Sequence, residues 1–426
     1  MKLLLCLLTL CTTHLAPGKE LAFKVRSESY KNMSIILATV DSNQALDKVA
    51  RVIKNDLQLS AQCTVTTQKF SKIPSTQEVG RLSKQGHPLI LFLNNTHDDK
   101  AIEWRLYETH SHAMVKGRKY IKKGTNHMVW GHHISDGIWP DLTGQDGCFS
   151  TKIAYCKEVK SKKGKQYKHV YMIDMDGNNE RVLVKTPTIT VAPRWNADSK
   201  HPLLFYSECT NSNVRMMVTS FKGESKMASD FDGLNMLPAF SADGSKVVYC
   251  ASRGNGSCQI YQFCDSNLKK LTHNEGTNVS PTFGPDGYLF FCSDFQTGSP
   301  LLYSYEFATE KVTPITHSGF CASPCYSNKT NKIVYAKLIE GYTQLFTYDV
   351  ATKMHTQLTF DKTSKEECSW SPCGSYIAYC NEGNGKSQIK VMHLKTRSIK
   401  DLTPADQICT YPTWSGPLGD IDQIPC

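Results

Sequence analysis

The sequence predicts a small N-terminal α/β domain followed by an all-β six-bladed β-propeller, and three observations carry that prediction. The first is a phrase of proline, one residue, an aromatic and a small turn residue. It reads Pro193-Arg194-Trp195-Asn196, Pro238-Ala239-Phe240-Ser241, Pro281-Thr282-Phe283-Gly284, Pro324-Cys325-Tyr326-Ser327, Cys368-Ser369-Trp370-Ser371 and Pro412-Thr413-Trp414-Ser415. The successive spacings are 45, 43, 43, 44 and 44 residues. A period of that size marks one supersecondary unit stacked on copies of itself, since no copy can bury its apolar face alone.

The second observation is the content of one copy. After Pro238, Phe240-Ser241-Ala242-Asp243-Gly244 is an aromatic followed by a tight turn, and the Asp-Gly pair supplies the positive φ such a turn needs. Val247-Val248-Tyr249-Cys250 is a β-branched and aromatic run, Arg253-Gly254-Asn255-Gly256 turns again, Cys258 to Phe263 alternates, and Leu268 to Thr272 closes the unit. Four short strands separated by turns make one propeller blade. The third observation is that the second strand recurs in register, as Ile153-Ala154-Tyr155-Cys156, Leu203-Leu204-Phe205-Tyr206, Leu289-Phe290-Phe291-Cys292, Ile333-Val334-Tyr335-Ala336 and Ile377-Ala378-Tyr379-Cys380. Counting back from Pro193 starts the first unit near Cys148, so six units fit between residues 148 and 411. A ring has to close or expose strand edges, and residues 411–416 are expected to add a strand to the first blade.

Before the blades, residues 1–18 read as an export signal: Lys2 is the positive end, Leu3 to Leu10 the apolar stretch, and Ala16-Pro17-Gly18 the small residues for cleavage. The rest of 19–145 reads as α/β. Ser34 to Val40 is a strand, and Ala45, Val49, Val52, Ile53 and Leu57 recur at helical spacing. Leu89 to Leu93 and Trp104 to Glu108 are further strands, and His127 to Leu142 a helix leading into the propeller, which occupies 146–426.

Lys and Arg exceed Asp and Glu by 49 to 39, a net charge of +10. The excess sits largely in 116–123 and 157–168, which lack the interleaved aromatics of a single-strand binder. Together with the export signal this argues against nucleic acid. Both runs read as solvated loops. Of 17 cysteines, Cys156, Cys250, Cys292 and Cys380 fill one small position of the second strand, where a thiol packs as a small hydrophobe. Cys258, Cys264, Cys321, Cys325, Cys368 and Cys373, near blade openings and turns, are the better disulfide candidates. No Gly-x-Ser-x-Gly elbow, His-Glu-x-x-His or Walker phosphate loop occurs. His132-His133 has no acidic residue at ligand spacing and reads as solvated or capping, and the Asp-Gly pairs at Asp176, Asp243 and Asp286 read as turns. No catalytic residue, metal or cofactor is expected, and the chain is not expected to be an enzyme.

The passage His133-Ile134-Ser135-Asp136, then Leu142-Thr143-Gly144, then Phe149-Ser150-Thr151-Lys152-Ile153-Ala154-Tyr155, together with the closing Tyr411-Pro412-Thr413-Trp414-Ser415, resembles the TolB family, the periplasmic component of the bacterial Tol–Pal system. The likeness spans the mature chain and is weak over 60–125. It implies a non-catalytic, monomeric periplasmic binding protein, peripheral to the envelope, that serves outer-membrane integrity, invagination at cell division and protein import. Two partners follow: a TolA-like inner-membrane protein, engaged by the mature N-terminal segment, and a Pal-like peptidoglycan-associated lipoprotein, bound at the mouth of the propeller channel. The N-terminal segment corresponds to Lys19, Glu20, Leu21, Ala22, Phe23, Lys24 and Val25, whose alternation suits addition to a sheet edge.

The mouth is expected where loops lead from the fourth strand of one blade to the first of the next, just before each repeat proline. That places Val191, Ala192, Leu234, Asn235, Met236, Leu237, Asn278, Val279, Ser280, Ala322, Ser323, Glu366, Glu367, Thr410 and Tyr411 against a partner, with Val279 and Tyr411 as apolar anchors. Cys368 and Cys373 replace the proline and aspartate of the family pattern. Two other functions suit such blades: the propeller of a serine peptidase, which needs a hydrolase domain after the blades, and an exported lectin or scaffold with other partners.

Overall fold

The computed structural model describes residues 33–418 apart from 73, 85, 162, 222, 254, 255, 265 and 266. The export signal and the segment Lys19 to Val25 lie outside the described residues. The N-terminal domain runs β1 (Met33–Val40), α1 (Gln44–Leu59), β2 (Cys63–Phe70), α2 (Thr76–Lys84), β3 (Leu89–Asn95), β4 (Ala101–Glu108), β5 (Met114–Ile121) and α3 (His127–Thr143). Its sheet is ordered β2-β1-β3-β4-β5, with β1 parallel to β2 and β3, and the β3-β4-β5 side antiparallel. Asn43 caps α1 by accepting from the Leu46 amide at 2.9 Å, and Leu46, Val49, Ala50, Ile53 and Leu57 bury one face of it.

Three elements here were not expected. β2 and β5 are edge strands; the exposed positions of β2 are mostly polar and those of β5 mix basic residues with Met114, Val115 and Ile121, so neither carries the alternation of a half-buried strand. The basic run 116–123 is therefore largely strand β5, not a loop; lysines on an edge discourage unwanted pairing. The short helix α2 is amphipathic over only two turns.

The strands that follow are β6 (Lys152–Lys160), β7 (Gln166–Asp174), β8 (Arg181–Val184), β9 (Ile189–Trp195), β10 (Leu204–Cys209), β11 (Val214–Thr219) and β12 (Ser225–Ser229). Next come β13 (Asn235–Phe240), β14 (Val247–Ala251), β15 (Gln259–Cys264), β16 (Asn267–Lys270), β17 (Asn278–Phe283), β18 (Tyr288–Ser293), β19 (Leu301–Glu306) and β20 (Lys311–Pro314). The last are β21 (Cys321–Ser327), β22 (Lys332–Ile339), β23 (Tyr342–Asp349), β24 (His355–Gln357), β25 (Ser364–Trp370), β26 (Tyr376–Gly383), β27 (Lys386–His393), β28 (Ile399–Asp401) and β29 (Cys409–Trp414).

The expectation of six separate blades is corrected. Four self-contained four-stranded sheets, β13–β16, β17–β20, β21–β24 and β25–β28, are the discrete blades of the propeller. The other eight strands form one sheet, ordered β12-β11-β10-β9-β7-β6-β29 with β8 on β7. A parallel bridge between Lys168 and Ile189 fuses β7 to β9, helped by the Thr190 hydroxyl, which donates to the Lys168 carbonyl at 2.7 Å. The sequence period counts recurring phrases, and it cannot register a hydrogen-bonded bridge that joins neighbouring sheets.

β29 pairs antiparallel with β6, joining the last described strand to the first strand of the propeller. Trp414 is buried there at 6 % exposure, and its indole N–H donates to the Thr151 hydroxyl at 2.7 Å. One apolar core runs from Leu37, Leu91 and Trp104 of the N-terminal sheet through Ile138 and Trp139 of α3 to Phe149, Tyr155, Val391 and Trp414. The junction is tight. The Asp136 carboxylate accepts from the Phe149 and Ser150 amides at 2.6 and 3.1 Å, and a Cβ at Gly147 would meet that carboxylate at 2.6 Å. Gly144 ends α3 in the left-handed conformation.

Candidate functional site: the two ends of the propeller channel

Each first strand lining the channel, namely β9, β13, β17, β21, β25 and β29, carries the same irregularity. The residue before the repeat proline position is left-handed: Ala192 (φ 50°), Leu237 (53°), Ser280 (54°), Ser323 (53°), Glu367 (55°) and Tyr411 (58°). At the same point the register slips, as between Val279 opposite Cys292 and Thr282 opposite Phe290. Matching slips occur in β13, β21, β25 and β29, and in the pairing of β9 with β10. Two residues of the first strand face one of the second, as Ser280 and Pro281 face Phe291, which is a β-bulge. A side-chain-bearing residue in this conformation costs roughly 1–2 kcal/mol, and such strain persists only where its surroundings hold it. Here neighbouring units hold it. The Trp370 indole donates to the Cys325 carbonyl (3.0 Å), the Tyr326 amide to the Thr282 hydroxyl (3.2 Å), and the Trp195 indole to the Thr413 carbonyl (3.2 Å).

This geometry corrects the expected position of the candidate residues. Almost all of them belong to first strands, in or beside the bulges, and not to the connecting loops. Asn278 and Asn235 are buried and structural. The Asn278 amide donates to Asn274 Oδ1 (2.7 Å), the Gly276 carbonyl (3.0 Å) and Gln259 Oε1 (3.1 Å), and Asn235 donates to the Phe231 and Val214 carbonyls. Ala192, Leu237 and Thr410 are also buried. Val191, Leu234, Met236, Val279 and Tyr411 come together against one apolar cluster. Ala322, Ser323, Ser280 and Glu366 are half-buried.

A cavity of about 490 Å³ follows the channel, with Arg194, Leu237, Ser280, Ser323, Cys368 and Pro412 contributed by the six first strands. Glu367 accepts from the Tyr411 amide, and burial, reinforced by Glu366 and opposed by that hydrogen bond and Arg194, pushes its carboxyl up to about 7.

Antiparallel strand order puts the two ends of the channel in different hands. Turns between first and second strands, and between third and fourth, emerge at the end covered by the N-terminal domain. There the Thr396 hydroxyl donates to the Ser60 carbonyl (2.8 Å) and Lys329 pairs with Asp146 (2.6 Å). Below them lies an ion network that sequence reasoning missed. His132, 1 % exposed, places Nδ1 at 2.9 and 3.1 Å from the two oxygens of Asp56, itself 0 % exposed, and Nε2 at 3.4 Å from Asp174. Lys152 donates to Asp174 at 2.6 Å. Burial opposes charge on the imidazole, but the Asp56 and Asp174 carboxylates outweigh it and raise His132 well above its usual range. Burial pushes Asp56 up to about 6, whereas Lys152 and His132 hold Asp174 down to about 2 against burial. His132 is therefore neither solvated nor a cap; it is the proton-holding centre of the domain junction. Asp56, His132 and Asp176 also have ligand atoms within 4.8 Å of one another. The imidazole Nδ1 meets Asp56 and Lys152 compensates Asp174, so each of these buried charges has one of opposite sign beside it.

At the opposite end, the connections from fourth to first strands and the turns from second to third strands surround the mouth. They carry exposed apolar side chains: Ile189, Phe231, Phe320, Leu338, Tyr342 and Phe360, the last 76 % exposed. Arg253 sits over the Phe231 ring at 4.5 Å. The signal for this rim was present in the sequence as a lone aromatic among turn residues, as in Thr359-Phe360-Asp361-Lys362 and Ser318-Gly319-Phe320. Among the described residues no helix is long and apolar enough to cross a membrane.

A family model described as the TolB beta propeller domain matches residues 139–418. The Tol-Pal system protein TolB of Francisella tularensis subsp. tularensis (strain FSC 198) is 24 % identical over 405 residues, covering 89 % of this chain and 90 % of that protein. Its namesake from Francisella tularensis subsp. holarctica (strain OSU18) is also 24 % identical over 405 residues, with 89 % and 91 % covered. Among solved structures, TolB from Acinetobacter baumannii superposes with a TM-score of 0.78 at 22 % identity, covering 90 % of this chain and 96 % of that one, a likeness of fold. With the propeller model matched over well over half of its length, the chain belongs to the TolB family.

Proposed function

We propose that this chain acts as the TolB-like component of a Tol–Pal system, a periplasmic protein that binds partners and carries out no catalysis. In this reading residues 1–18 are an export signal, 19–145 an α/β domain and 146–426 the propeller. The mouth rim docks a Pal-like peptidoglycan-associated lipoprotein, and Lys19 to Val25 engage a TolA-like inner-membrane protein. The complex serves outer-membrane integrity and invagination at division, and gives protein import a route.

The observation that carries the docking reading is the rim of exposed apolar side chains around one channel end. Apolar side chains gathered on one face commonly mark a protein-binding site, and the energy of such a site concentrates in a few aromatic anchors. Phe360, Tyr342 and Phe320 are the anchors, with half-buried Val279 and Glu366 behind them. Tyr411, packed against the apolar cluster, acts by shaping the channel. The test is a pulldown from detergent-solubilised envelope with the tagged mature chain. Wild type should retain the Pal-like lipoprotein, and Phe360→Asp with Tyr342→Ala should release it while melting normally. Equal capture by the folded double variant defeats the rim as docking site.

A further inference from the structure

Cys373 lies in the turn between β25 and β26, where the Gly374 amide donates to the Ser371 carbonyl at 2.9 Å. Cys148 lies where the chain leaves the N-terminal domain, one residue before the Phe149 amide held by Asp136. These two thiols, far apart in sequence, act on each other where Cys373 packs against the apolar cluster that holds Cys148. They differ in access. Cys148 is buried, whereas Cys373 is half-buried and lines a cavity of about 460 Å³ whose wall also carries Lys329, His393 and Lys395. They differ in chemistry too. The neighbouring Cys148 thiol, together with the Ser371 hydroxyl at 3.3 Å, brings the Cys373 thiol down to about 7, while burial raises Cys148. A lowered, reachable thiol beside a buried partner is the arrangement of an attacking and a resolving cysteine.

We propose that Cys373 and Cys148 are a redox-sensitive dithiol, oxidised by a small-molecule disulfide entering through this cavity. The Cys373 thiolate attacks one sulfur of that disulfide, forming a mixed disulfide and expelling the first thiolate. Cys148 then attacks the Cys373 sulfur, and the second thiolate leaves, taking up the Cys148 proton. The protein loses two hydrogens, the small disulfide is reduced to two thiols, and the new bond staples the domain junction to the last discrete blade. Cys250 and Cys258 also meet, but both are buried and neither lines this cavity. They form the comparison within the same molecule.

The experiment treats the reduced, folded mature chain with oxidised glutathione at neutral pH and maps its peptides without reduction. A Cys148–Cys373 cross-linked peptide is expected, reversed by dithiothreitol and formed before Cys250 or Cys258 reacts. Cys148→Ala should instead trap glutathione on Cys373, and Cys373→Ser should leave Cys148 reduced. If either variant fails to fold, the wild-type map decides alone. A cross-link that forms only in denaturant, glutathione that stays on Cys373 with Cys148 reduced, or two unreacted thiols in the folded chain would each overturn the proposal.

Discussion

The two ends of the propeller are built from the same repeated strands and could hardly be treated more differently. Under the N-terminal domain, an imidazole is held between carboxylates, and Trp139, Phe149 and Trp414 share a core with the sheet of another domain. At the mouth, apolar side chains as large as Phe360 stand in solvent and nothing in the described chain covers them. A fold does not by itself say where function lies. The contrast is the ground for placing docking at the mouth: one end packs against the N-terminal domain, and the other keeps aromatic side chains such as Phe360 uncovered.

The largest effect should come from opening the ring. Trp414→Ala removes a buried indole and its hydrogen bond to Thr151, and should cost about 3–5 kcal/mol in chemical denaturation. Truncation after Thr403 removes β29 altogether and should cost more. A truncated chain melting like wild type would mean that β29 closes nothing.

Next comes the ion network. His132→Gln leaves Asp56 and Asp174 facing each other without the imidazolium, and loss of a buried partner typically costs about 3–5 kcal/mol. The sign with pH follows from the raised His132. Its contribution is complete below the ordinary histidine range near 6.5 and is lost as pH rises through the higher folded value. Asp56, pushed up to about 6 by burial, also removes stability as pH rises from its ordinary 3.8. Asp174 acts at the acid end, its contribution fading as pH falls toward about 2. Wild-type stability should thus decline above neutrality, and His132→Gln should flatten that decline. A variant with an unchanged alkaline slope assigns the slope elsewhere.

Mouth substitutions should separate binding from folding. Phe360→Asp should shift stability by less than about 0.5 kcal/mol yet weaken lipoprotein binding by on the order of 2 kcal/mol. The smallest effect belongs to the exposed Lys329–Asp146 pair: Asp146→Asn should change stability by no more than about 1 kcal/mol, and less at high salt.

What the sequence disclosed and what it hid follow one rule. Features repeated at short range were legible: the blade phrase, the second-strand register, α1 through its apolar spacing, and β29 as a partner for the start of the propeller. Features made by distant residues were not. His132 finds Asp56 from 76 positions away, and no spacing rule covers that. The bridge from Lys168 to Ile189, which fuses two sets of strands into one sheet, depends on a single backbone pairing. Cys373 was singled out as a disulfide candidate, but its neighbour Cys148 became visible only in three dimensions. β5 was misread because an edge strand carrying Lys116, Arg118 and Lys119 has the composition of a loop. The bulges stood in plain view as a residue always preceding the repeat proline position, yet only the positive φ shows that this residue sits within a strand.

The most direct test of the contrast compares two residues of one blade. Phe360 follows β24 at the mouth, and Met354, 63 % exposed, lies in the turn before β24 at the covered end. The soluble domain of the Pal-like lipoprotein, titrated calorimetrically into folded Phe360→Asp and folded Met354→Asp, should bind the second like wild type and the first at least about tenfold more weakly, the effect of losing one anchor. Equal binding by both, or loss only in Met354→Asp, would contradict the assignment of the mouth as the functional end.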